Sequence, residues 1–148
     1  MSDLIGGYYY LGTPYTLYPS GIQSAFEDAA RIAGILTHMG LIVYSPIVHS
    51  HVISEYSNID PKDHALWMAL DRPLVNAARG LIVVMLSGWE SSRGLTLERD
   101  LFKAAGKPIF YLDPMDLPTD LIKQFEPSQQ NVVRIMDIPR TTSTEPTG

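Results

Sequence analysis

The sequence has no cysteine among its 148 residues. That absence excludes a disulfide framework, a thiolate metal site and a cysteine nucleophile, and it suits a reducing compartment. Positive charge is also scarce. Eleven Lys and Arg against 16 Asp and Glu give a formal net charge of -5 and a pI near 5.2, which argues against long nucleic acid as a partner. A small anionic ligand stays open, because one local site can differ in sign from the whole surface. The longest apolar run, Gly80 to Leu86, is strand-sized, so no membrane span is expected. The opening residues MSDLIGG place no basic region ahead of an apolar stretch, which predicts no secretory signal. The GxGxxG, GxxxxGK[ST] and GxSxG patterns are missing too, which removes motif support for the commonest dinucleotide, nucleotide-hydrolysis and serine-hydrolase readings.

What is present is globular in character: 45% hydrophobic and 18% charged residues rule out a mainly disordered chain. The length suits one domain, expected over residues 1–140, with a polar, aperiodic and disordered tail at 141–148. The expected protein is soluble and cytoplasmic.

Strand-like and helix-like segments alternate. Tyr8 to Leu11 is short and aromatic and is stopped by Gly12-Thr13-Pro14, which predicts a first strand. Ser20 and Gln23 form a capping-box pattern ahead of Ile22, Phe26, Ala29, Ala33 and Leu36 at helical spacing, closed by Gly40. Leu41 to Tyr44 predicts a second strand. Asp60-Pro61 predicts an N-cap and first helical position, with an interruption near Pro73. Leu81 to Leu86 is apolar without alternation, the pattern of a central parallel strand buried on both faces. A helix from Gly94 to Ala105, a strand at Pro108 to Leu112 and a further strand at Val132 to Ile135 complete the series. The pattern predicts an α/β fold with a Rossmann-like or flavodoxin-like parallel sheet of about five strands flanked by helices.

Ligands of open parallel sheets bind beyond the carboxyl ends of the strands. Three loops are expected there: Gly12 to Ser20, Ser45 to His51, and Ser87 to Glu98. They are also the segments richest in Ser, Thr, His, Gly and Trp. The third runs into a helix whose amides, with Ser92 and Arg93, suit an anion; an ordinary serine-capped turn explains the same residues. Glu98 shares a helix face with Leu95, Phe102 and Ala105, so its carboxylate borders the core. It is functional, structurally paired, or placed to offset the helix dipole. Asp71 is either a plain N-cap or a second carboxylate converging on Glu98, a combination that allows covalent glycosyl chemistry. His49 and His51 have the spacing to ligate a metal but lack partners for it, so hydrogen bonding or a ligand contact is expected.

Tyr9-Tyr10-Leu11-Gly12-Thr13-Pro14-Tyr15, Asp71 ahead of the Gly80-Leu81 strand, and Ser92-Arg93-Gly94-Leu95-Thr96-Leu97-Glu98 together resemble the nucleoside 2-deoxyribosyltransferase superfamily over residues 8 to 113. Within it the chain is similar to the 2'-deoxynucleoside 5'-phosphate N-hydrolases and to short relatives carrying Gly-Trp, Ser-x-Gly and Glu, here Gly88-Trp89, Ser92 to Gly94, and Glu98. The resemblance implies cleavage of an N-glycosidic bond in (deoxy)nucleoside 5'-monophosphates, with Glu98 as nucleophile and Asp71 orienting and protonating the base. It implies Tyr9 as the tyrosine that hydrogen-bonds the catalytic carboxylate, or Tyr10 if the strand slips by one residue. It implies Ser92 at the 5'-phosphate, near the Gly12 and Thr13 amides. Tyr15, His49, His51, Trp89 and Gly94 are the further expected substrate contacts. It also implies a homodimer or higher homo-oligomer, a small nucleotide or nucleoside as the other partner, and no cofactor or metal. Two departures stand out: Thr96-Leu97 replaces the hydrolases' Gly-Tyr before the glutamate, and Pro14-Tyr15-Thr16 occupies their arginine-bearing stretch. Alternative functions are base exchange by a deoxyribosyltransferase and nucleotide binding without catalysis.

Overall fold

The structure is a computed structural model that describes residues 7–117. Four strands, β1 (Tyr9–Gly12), β2 (Val43–Tyr44), β3 (Gly80–Val84) and β4 (Ile109–Leu112), alternate with four helices, α1 (Ile22–His38), α2 (Pro46–Glu55), α3 (His64–Ala77) and α4 (Arg93–Ala104). The sheet is wholly parallel in the order β2-β1-β3-β4. The expected α/β class and parallel sheet are found, with four strands among the described residues. The strand expected at Val132 to Ile135 and the tail lie outside them.

Alternation along the strands divides the core in two. Tyr9 and Leu11 of β1 join Ile82, Val84, Phe110 and Leu112 against Ile32 and Leu36 of α1. On the opposite face Tyr10, Leu81, Val83 and Ile109 pack against Val75 of α3 and Leu95 and Phe102 of α4. Every residue of β3 is buried, because helices cover both of its faces; this is why its sequence shows no polar alternation. Connections leave β1 in one direction toward β2 and resume on its other side at β3. The carboxyl ends of β1 and β3 therefore flank a topological switch point, where loops splay apart and a crevice opens.

Three local expectations are corrected. The α1 N-cap is Gly21, in a left-handed conformation (φ 93°) with no side-chain cap, because Gln23 is engaged by Glu27 and His51 instead. The α3 N-cap is Asp63, whose carboxylate accepts from the Leu66 amide, while Asp60 caps a preceding turn through the Lys62 amide. Helix α3 also runs unbroken through Pro73; Ala69, whose carbonyl loses its donor there, lies on the exposed side, where water can serve it.

The segment from Ser45 to His51, expected as a loop, is mostly helix α2. Ser45 caps it by accepting from the Val48 amide, and Pro46 occupies its first turn. At its far end α3 is tied to the β4 side by Lys107, whose ammonium donates to the carbonyls of Val75, Asn76 and Ala78 at 3.1, 2.6 and 2.7 Å. Three charge-assisted bonds on orphan carbonyls hold the helix that carries Asp71.

Candidate active site

Two carboxyl groups meet on the same side of the sheet, and both are almost wholly buried: Asp71 is 6% exposed and Glu98 8%. Glu98 lies between Leu95 and Phe102 on the buried face of α4, as its spacing implied. Its carboxylate sits against the end of β1, where Gly12 makes room for it. A Cβ at position 12 would stand 3.1 Å from Glu98 Oε1 and 2.6 Å from Leu95 Cδ1. Asp71 occupies the interior of α3, not its N-cap, and its carboxyl faces the same cleft as Glu98.

Burial dominates the chemistry of the pair. Desolvation pushes Glu98 up to about 8, with the charge of Asp71 adding to the rise. It pushes Asp71 up to about 6, against the opposing charge of His49. The Tyr10 hydroxyl lies near enough to both carboxyls to favour their ionised forms, though it falls short of a well-aligned hydrogen bond to either; Tyr10 Oη and Asp71 Oδ1 are buried without a geometric partner. Burial and the two neighbouring carboxylates keep the Tyr10 phenol protonated. Burial therefore favours retention of a proton on the pair near neutral pH, first of all on Glu98.

The carboxyls line the inner part of a cleft walled by Thr13 and Tyr15 after β1, Pro46, Ile47 and Ser50 of α2, Trp67 and Met68 of α3, and Ser92 and Gly94 at the start of α4. An adjoining outer part shares Tyr15, Thr16, His64 and Ser92 and adds Ser87, Gly88 and Arg93. Thr13 Oγ1 is buried without a partner and belongs to the inner wall. Ser92 caps α4 by accepting from the Leu95 amide, so its hydroxyl and the helix terminus face the join between the two parts. Among the described residues no cluster of three His, Asp or Glu side chains is placed to hold a metal.

Several expected contacts lie elsewhere. Tyr9 points to the other face of the sheet, edge-on to Phe110 with the Arg79 guanidinium over its ring; adjacent strand residues alternate, so Tyr10 is the tyrosine beside the carboxyls. Trp89 packs with Tyr111, and the Arg99 guanidinium lies 5.6 Å from both ring centroids, away from the cleft. His49 is exposed on α2 beside Tyr44 and reaches the site only through its field on Asp71. His51 is buried behind Tyr15 rather than in the cleft wall. Trp67, Met68 and His64 of the wall went unrecognised in the sequence, although they stand four, three and seven residues before Asp71, a helical-face signal.

The raised carboxyl pKa values have a consequence for stability. A group that holds its proton more tightly when folded contributes most below its unfolded pKa of about 4.5 and loses that contribution as pH rises toward about 8. Glu98→Gln, neutral at every pH, is therefore expected to match the wild type near pH 5 and to exceed it by on the order of 3 kcal/mol near pH 9. Thermal or urea unfolding of both proteins across that range checks it; a difference independent of pH contradicts it.

Comparison with known proteins bears on the same region. A search among curated proteins finds no match. A family model described as a domain of unknown function, DUF1937, matches residues 7–113. That span takes in all four strands, all four helices and both buried carboxyls, and the chain belongs to the DUF1937 family.

Proposed function

We propose that the protein is an N-glycosidase that cleaves the bond between base and sugar in (deoxy)nucleoside 5'-monophosphates through a covalent intermediate on Glu98. The observation that carries the proposal is the pair Asp71 and Glu98, two carboxyl groups buried in one cleft with the Tyr10 hydroxyl near both. A glycosyl transfer with two chemical steps uses one carboxylate to attack the anomeric carbon and one carboxylic acid to protonate the leaving group.

In the first step a Glu98 oxygen bonds to C1' as the C1'–N bond breaks. The bonding electrons pass to the base nitrogen system, which takes the proton of Asp71. In the second, Asp71 withdraws a proton from water as the water oxygen bonds to C1', and the Glu98 carboxylate is released. Positive charge that develops at C1' favours the ionised form of Glu98, so the pair's single proton is driven toward Asp71, with Tyr10 alongside both groups. The outer part of the cleft, with Ser87, Ser92 and exposed Arg93, suits the phosphate. Arg93 supplies the positive charge that the Pro14-Tyr15-Thr16 stretch lacks.

Release of free base from a panel of nucleoside monophosphates, followed by chromatography, tests the proposal. Glu98→Gln is expected to lower kcat/KM by about a thousandfold or more and Asp71→Asn by about a hundredfold. The active species is the singly ionised pair, so the rate is expected to rise through about 6, fall through about 8 and peak between. Glu98→Gln with wild-type turnover contradicts the mechanism. Appearance of a new nucleoside when a second base is added would instead identify base exchange.

We further propose a homodimer. Val52 of α2, Tyr56 at its C-cap, and Leu66 and Leu70 of α3 leave apolar side chains exposed, Tyr56 by 88%, on or next to the two helices that also wall the cleft. A second copy covering them would shield the site from water. Light scattering is expected to give twice 16.4 kDa, and Tyr56→Glu with Leu70→Glu to give the monomer; a wild-type monomer at working concentration contradicts it.

A further inference from the structure

A chain of polar groups behind the cleft wall fixes the direction of one hydrogen bond at the cleft itself. It starts on the surface of α1. Glu27 accepts from the side-chain amide nitrogen of Gln23 at 3.1 Å. A carboxylate can only accept, so the Gln23 amide is held with its nitrogen toward Glu27 and its oxygen turned away. That oxygen lies 3.2 Å from His51 Nε2, and the Glu55 carboxylate stands on the same nitrogen at 3.5 Å. With two acceptors facing it, Nε2 carries the ring proton. In the neutral ring the other nitrogen, Nδ1, is then an acceptor. Its neighbour, at 2.7 Å, is the Tyr15 hydroxyl.

The rest of the His51 environment keeps this arrangement rigid. The ring is 4% exposed and stacks on Phe26 with centroids 4.4 Å apart and planes within 17°. Tyr15 meets it edge-on. The groups facing His51 are thus Gln23 and Phe26 from α1, Tyr15 from the loop after β1, and Glu55 from its own helix. Tyr15 itself is pushed up to about 12 by burial and by the charges of Glu55 and Asp60, so it keeps its proton and has one to donate.

We propose that Tyr15 is a specificity-determining residue whose hydroxyl proton is committed to His51, so that it presents only lone pairs to a ligand and selects a hydrogen-bond donor, a sugar hydroxyl or an amino group. His51, Gln23 and Glu27 are positioning residues that act through it. Tyr15 lines both parts of the cleft, which places the selected donor between the carboxyl pair and the outer part. The nature of the ligand as a nucleotide rests on the function proposed above; the orientation of Tyr15 does not.

Nitrogen-15 correlation spectra of the histidine rings in the full chain test the orientation. At neutral pH His51 is expected as the neutral Nε2–H tautomer, and Gln23→Ala to weaken that preference. A proton on Nδ1, whether in the other tautomer or in the imidazolium, overturns the proposal, because Tyr15 would then be free to donate. Calorimetric titration with 2'-deoxyadenosine 5'-monophosphate, in the Glu98→Gln background so that cleavage does not intervene, tests the contact. Tyr15→Phe is expected to weaken binding by about tenfold, and a change under about twofold overturns the contact. Tight binding without cleavage, with the Tyr15 effect intact, would remove the glycosidase activity and leave the selection of a donor standing.

Discussion

Withdrawal of two carboxyl groups from water, against one tyrosine hydroxyl, is the constraint around which the rest of the molecule is arranged. A buried carboxylate without a strong partner is unfavourable by several kcal/mol in ordinary proteins, and here Asp71 and Glu98 line one cleft with no ion pair to either among the described residues. The helices α3 and α4 carry them in, packed on the face of the sheet that holds Tyr10. Gly12 keeps the space at the end of β1 into which Glu98 reaches. Lys107 secures the far end of α3 through three carbonyls. The buried pair itself would be harmful in a chain selected for stability alone.

The parallel sheet explains why the pair sits where it does. A strand order of β2-β1-β3-β4 separates the loops after β1 and β3, and the crevice between them receives groups from four different segments. No single stretch of sequence could supply a site closed on this many sides. Two rigid helices set the carboxyls, while the loop after β1 supplies Thr13 and Tyr15, the second of these braced from behind by His51.

Much of this was legible in the sequence, for identifiable reasons. The unbroken apolar run at β3 announced burial on both faces, and the spacing of Leu95, Glu98 and Phe102 placed a carboxylate at the core because helical periodicity holds across the two turns that they span. The choice between Tyr9 and Tyr10 was not legible: a strand has period two, so a shift of one residue reverses every side chain, and only the register of β1 against β3 settles it. Helix α2 was missed although Ser45-Pro46 carries the same start signal recognised at Asp60-Pro61, because its apolar residues are spread around the helix and leave no amphipathic stripe. The bonds from Gln23 to His51 and from His51 to Tyr15 span 28 and 36 residues. Local pattern carries no trace of such contacts, which is also why Ser20 and Gln23 looked like a capping box.

The state of the carboxyl pair can be read directly. A carbon-13 titration of the side-chain carboxyls, with assignments from Asp71→Asn and Glu98→Gln, is predicted to show the two titrating as a coupled pair, one near 6 and one near 8. Titration of both at the ordinary values of 3.8 and 4.5 would mean that water reaches them freely, and the buried, proton-sharing pair would be contradicted.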